Sequence, residues 1–125
     1  MSEDQVKQVS FDAVTDADKQ IEIVSHVDKN NDPYKYDISY VDVNGQKQTQ
    51  TINFQHGPVK EYGINGVTME YLLVIIADRI KAFQDSKFAC GENEQALMNV
   101  KDALDILNHR TRKRIERGVE GKNVV

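Results

Sequence analysis

Between residues 19 and 54 the apolar positions alternate with polar ones, whereas from residue 68 onward they return every three or four. Alternation is the period of a strand with one buried face; the longer period is that of a helix with one apolar stripe. Ile21, Ile23 and Val27 define a strand from Lys19 to Val27, and Asn30-Asn31-Asp32-Pro33 supplies the turn after it. Tyr34, Tyr36, Ile38 and Tyr40 share one face of the next strand, which ends at Asn44-Gly45. Ile52 and Phe54 lie on the even-numbered face of a third. Residues 1–18 offer only Val6, Val9, Phe11 and Val14 to pack and support no clear strand.

Parity decides the hairpin at Asn44-Gly45. A two-residue loop there would oppose even positions to odd ones, turning Tyr36, Ile38 and Tyr40 away from Ile52 and Phe54. A three-residue loop, with Gly45 in a left-handed bulge position, puts both apolar sets on one side. The bulged loop is therefore expected, and the three tyrosines read as packing residues.

Gly57-Pro58 and Gly63-Ile64-Asn65-Gly66 separate the sheet from the helical stretch of the chain. Thr68 is placed to cap a helix carrying Glu70 in its first turn, with Met69, Leu72, Leu73, Ile76, Ile80 and Phe83 at helical spacing. Around Tyr71 to Ala77 this helix is apolar over most of its surface, so it calls for more than one packing partner. Asp85 to Gly91 reads as a loop, and a second helix should run from about Glu92 to Glu116. Its seam is Leu97, Val100, Leu104 and Leu107, continuing to Thr111 and Arg114. The fold class is thus α+β: an N-terminal antiparallel β-sheet over 1–66, followed by a C-terminal two-helix antiparallel hairpin over 67–125.

The 125 residues carry a net charge of -4, a soluble globular composition that argues against a general nucleic-acid coat. The longest apolar run, Tyr71 to Ala77, is far short of a membrane span. No basic-then-apolar leader opens the chain, and a single cysteine excludes an internal disulfide, so a reducing cytoplasm is the expected setting. Three scattered histidines give no zinc pattern. Cys90, beside Phe88 and Ala89, reads as a buried thiol and not a nucleophile. Asp102 and Asp105 read as exposed charges, and no base, metal or nucleophile is arranged for catalysis.

The charge is unevenly spread. Residues 1–66 hold eleven acidic side chains and six lysines with no arginine, while residues 67–125 hold nine acidic and ten basic. Arg110, Arg112, Arg114 and Arg117 crowd into eight positions. Basic residues in a last helical turn offset the macrodipole, which would account for them as a solvated end. Yet Arg110, Arg114 and Arg117 stand at i, i+4 and i+7, on the stripe that leucines occupy two turns earlier. A merely solvated run should avoid that seam. Guanidinium donates two parallel hydrogen bonds and suits phosphate oxygens, and a compact phosphate compound fits an acidic protein better than a duplex does.

The ordered string Phe83, Phe88-Ala89-Cys90, Glu92-Asn93, Ala96-Leu97, Ala103-Leu104, Leu107, Arg110-Thr111, Arg114 and Arg117-Gly118-Val119-Glu120-Gly121 resembles a small phage helical hairpin. That hairpin is shared by the first type of Thoeris anti-defence protein and the cyclic-oligonucleotide sponges that block CBASS. The upstream sheet makes the Thoeris type the closer match. The resemblance implies a non-enzymatic sponge without a cofactor, acting in the host bacterial cytoplasm. It would bind a cyclic ADP-ribose signal (glycocyclic ADP-ribose) before that signal switches on the NAD-consuming effector. It implies that Phe83 stacks on the adenine, that Asn93 is a polar anchor beside it, and that Arg110 and Arg114 clamp phosphate. It also implies a homodimer, in some members a hexamer.

Helix geometry constrains this assignment. Asn93 and Arg110 are seventeen residues apart on one helix, about 25 Å, beyond the reach of one ADP-ribose-sized ring. The arginines must then come from a second chain running the opposite way, and a two-fold antiparallel dimer supplies two such composite sites. The alternative function is a phage regulatory module that uses the Arg110–Arg117 face on nucleic acid. Its arginine variants would lose DNA or RNA binding with a steep salt slope.

Overall fold

The structure is a computed structural model and describes residues 4–9 and 21–118. Phe11, Val14, Lys19 and the run Val119-Glu120-Gly121 lie outside the described residues. By its internal contacts the chain divides into two units, Met1–His56 and Gly57–Val125. Among the described residues the regular elements of the first are strands and those of the second are helices, so the class is α+β with the sheet first.

The sheet has four antiparallel strands in sequence order: β1 (Gln5–Val9), β2 (Glu22–Val27), β3 (Pro33–Val41) and β4 (Lys47–Asn53). Its apolar face is built as the alternation requires. Ile23 lies opposite Ile38 and Ser25 opposite Tyr36, and Tyr36 in turn lies opposite Ile52. Val27 and Ser25 are buried at 5% exposure each. Tyr36 meets Phe54 edge-on with ring centroids 5.6 Å apart, and Tyr34 stacks on His56 at 4.2 Å. Tyr36 and Tyr34 are thus engaged within the sheet unit, whereas Tyr40 is 38% exposed.

The β3–β4 hairpin has the expected parity. Even positions pair with even and odd with odd, in unbroken register from Val41 with Lys47 to Lys35 with Asn53. Asp42 N–H donates to Gln46 O at 2.8 Å, leaving Val43, Asn44 and Gly45 as a three-residue loop. Gly45 takes φ 77°, a left-handed value that a Cβ would disfavour.

β1 was not legible from the sequence. Val6 and Val9 lie three apart, so they face opposite sides of the sheet and give no alternation. What holds this strand is its backbone ladder to β2, from Gln5 with Val27 to Val9 with Ile23, while all five of its side chains are exposed.

The second unit contains α1 (Val59–Tyr62), α2 (Met69–Gln84) and α3 (Gly91–Glu116). The single turn α1 falls in the segment read as a break, so the described residues hold three helices where two were expected. It folds back tightly, because a Cβ on Gly57 would come within 2.6 Å of the Tyr62 ring. Thr68 occupies the N-cap of α2 with extended φ and ψ, but its hydroxyl makes no capping bond. α3 matches the expected helix to within a residue, with Glu92 and Glu94 in its first turn and Lys113 and Arg114 in its last.

α2 and α3 contact one another along two half-buried seams. On α2 the seam is Glu70, Leu73, Ala77, Ile80 and Gln84. On α3 it runs through Leu97, Val100, Leu104 and Leu107 and ends at Thr111 and Arg114. The apolar stripe read from sequence therefore splits in two. Leu73 and Ile80 lie in the seam, whereas Met69, Ile76 and Phe83 are exposed at 47, 46 and 38%. No side chain of α2 or α3 is fully buried.

Candidate ligand-binding site

Phe83 and Asn93 flank the loop that joins α2 to α3, and each meets Phe88 of that loop. Gln84 clamps Cys90 twice: its Nε2 donates to Cys90 O at 3.1 Å and its Oε1 accepts from Cys90 N–H at 3.0 Å. Ser86 Oγ donates to Phe83 O at 2.6 Å and accepts from Phe88 N–H at 3.1 Å. Asn93 Nδ2 reaches Phe88 O at 3.5 Å, the limit of a hydrogen bond. Phe83 meets Phe88 edge-on at 6.4 Å. Cys90, expected buried, is an exposed thiol at the N-cap of α3, because this clamp holds its backbone and leaves its side chain outside.

Arg79 stands over Phe83, its guanidinium carbon 5.1 Å from the ring centroid. Sequence reading passed over this residue, although the i, i+4 spacing of Arg79 and Phe83 on one helix was there to be read. An aromatic face beside a fixed cation is a suitable platform for a base carrying nearby negative charge.

Arg110 lies near the opposite end of α2. Its Nη2 is 3.8 Å from Glu70 Oε1 in the first turn of that helix. Glu70 and Phe83 are thirteen residues apart, about 20 Å along α2. The structure thus gives Phe83 and Asn93 a shared neighbour, Phe88, and places Arg110 far from both within one chain. The Arg110 side chain is 59% exposed, while Arg114 is half-buried where the α3 seam ends.

The sheet unit carries the other cluster of ionisable groups. His56 Nε2 donates to Asp28 Oδ2 at 2.8 Å and is 4.0 Å from Asp32 Oδ2. Ligand atoms of these three residues lie within 4.8 Å of one another, a spacing at which a metal ion could be held. The hydrogen bonds alone account for the geometry. The bond from His56, then the N–H groups of Asp32 and Asn30, hold the Asp28 carboxyl below its usual range. On the polar face of the sheet, Thr51 and then His26 do the same for Asp37, at 2.6 and 2.8 Å. The hydrogen bond from Tyr34 to Asp4 pushes the tyrosine's own ionisation up.

Among the described residues, no helix is long and apolar enough to cross a membrane. The chain is similar to "Thoeris anti-defense 1" of Bacillus phage SBSphiJ7, 49% identical over 71 residues. The match takes in 57% of this chain and spans half the length of that relative. A family model described as the Acb2/Tad1 hairpin domain matches residues 46–112, which run from the β3–β4 loop to the arginines of α3. The match covers more than half of the chain, which therefore belongs to the Acb2/Tad1 hairpin-domain family.

Proposed function

We propose that this protein is a phage immune-evasion sponge, which binds a cyclic ADP-ribose signal without cleaving it and so keeps a Thoeris effector silent. Family membership and the relative's printed name support the anti-Thoeris reading. The observation that carries the chemistry is an exposed aromatic, Phe83, at one end of the helix pair with the exposed Arg110 and the half-buried Arg114 at the other. Phe83 stacks on the adenine, Asn93 anchors its edge, and Arg110 and Arg114 grip the phosphates. Binding of this kind needs no nucleophile or general base.

The separation within one chain makes the site composite. Two chains whose α2–α3 hairpins run antiparallel set the Phe83 end of one beside the arginine end of the other, giving two equivalent sites per dimer. The exposed Met69, Tyr71, Ile75 and Ile76 supply apolar surface for such a pairing, and residues 67–125 carry both binding and assembly.

Incubation with glycocyclic ADP-ribose, heat denaturation and mass analysis of the released compound test this reading. Intact ligand supports the sponge; altered ligand makes the protein an enzyme; no uptake removes the proposal. The composite site has its own test. Phe83→Ala and Arg110→Ala proteins, unfolded and refolded together at equal concentration, form about half mixed dimers, each with one undamaged site. Roughly a quarter of all sites should regain native affinity. No recovery in verified mixed dimers places all four residues' function within one chain.

A further inference from the structure

Glu70 opens the α2 seam, a position otherwise given to Leu73, Ala77 and Ile80. Its side chain is only 16% exposed, and its Oε1 is buried with no hydrogen-bond partner. A carboxylate oxygen removed from water without a hydrogen bond costs stability. The ion pair that faces it spans 3.8 Å to a guanidinium that is 59% exposed, an arrangement that returns little. Stability does not explain this pair. The N-terminal turn of α2 adds partial positive charge around the carboxylate, which offsets part of the cost and fixes where it sits.

What the pair does is orient a cation. An arginine side chain has several rotatable bonds, and holding it in one geometry costs a ligand part of its binding energy. One edge of the Arg110 guanidinium is turned toward Glu70, and the planar fork has other donors for an incoming phosphate oxygen. We infer that Glu70 is a positioning residue: it pre-orders Arg110 for the anionic part of the ligand and makes no ligand contact itself. This inference rests on the reading of Arg110 as a phosphate clamp.

Calorimetric titration of glycocyclic ADP-ribose into wild type, Glu70→Gln, Arg110→Ala and the double variant tests it, with affinity counted per folded molecule. Glu70→Gln keeps the shape and removes the charge. Affinity should fall about two- to tenfold, the range that pre-ordering one long side chain is worth. In the Arg110→Ala background the same substitution should change nothing, and that coupling is a readout a merely structural role would not produce. Unchanged or tighter binding by Glu70→Gln overturns the inference, as does an equal loss in both backgrounds. If Arg110→Ala itself binds like wild type, the clamp reading fails first and the role of Glu70 falls with it.

Discussion

The sheet and the helical unit both carry ionisable side chains, and they use them in opposite ways. Asp28, Asp37 and Asp42 of the sheet unit each accept at least two hydrogen bonds, from histidine, threonine, glutamine or backbone N–H groups. Their charges are consumed in holding turns and strands together. In the helical unit, Arg110 has a 3.8 Å ion pair and an exposed guanidinium, and Phe83 shows more than a third of its surface. The lesson is that a count of charged residues does not locate a binding site. Saturation of their hydrogen bonds does: satisfied groups build structure, and groups held in place with capacity to spare are available to a ligand.

The largest break in this comparison should come from the arginines. Arg110→Ala and Arg114→Ala should each weaken glycocyclic ADP-ribose binding by about 1.5–3 kcal/mol with melting nearly unchanged. The mirror variant is Asp37→Asn, which should lower the melting temperature and leave affinity per folded molecule intact. If both arginine variants bind normally, they belong to a solvated helix end after all.

Phe83→Leu comes next. It keeps much of the apolar contact but removes base stacking, worth about 1–3 kcal/mol in nucleotide contacts. A loss of stability with affinity intact would make Phe83 a packing residue and erase the contrast at that end.

The smallest effect sharpens the sheet side. The hydrogen bonds that depress Asp28, Asp37 and Asp42 stabilise the folded state fully above the unfolded aspartate range. That contribution is lost as pH falls through the lower folded values, so thermal scans should show the decline beginning below about pH 4. Asp37→Asn should flatten the decline, and an unchanged pH profile would show that its hydrogen bonds do not stabilise the fold.

Much of this fold is legible in the sequence because side-chain period and turn chemistry are local. The parity of Tyr36 and Ile52 dictates the bulged loop, and the leucines of α3 mark its seam. β1 is not legible because its ladder is made by backbone groups, which leave no pattern in five exposed side chains. Cys90 misleads for a related reason: apolar neighbours suggest burial, but the Gln84 clamp is a contact six residues away. At the candidate site, spacing places Arg114 on the seam, whereas Arg110, read onto the same stripe, is exposed beside it. The Arg110–Glu70 juxtaposition requires the helices to pack, since forty residues separate the two.

The three-residue loop at Val43–Gly45 also limits how this hairpin can change length over generations. Removing or adding one residue there reverses which face of β4 looks inward, replacing Ile52 and Phe54 by Thr51 and Asn53 against Tyr36. Two added residues leave the faces as they are. Viable insertions and deletions at this tip should therefore come in pairs, so that the loop mutates by a rule of even steps although its own side chains touch almost nothing.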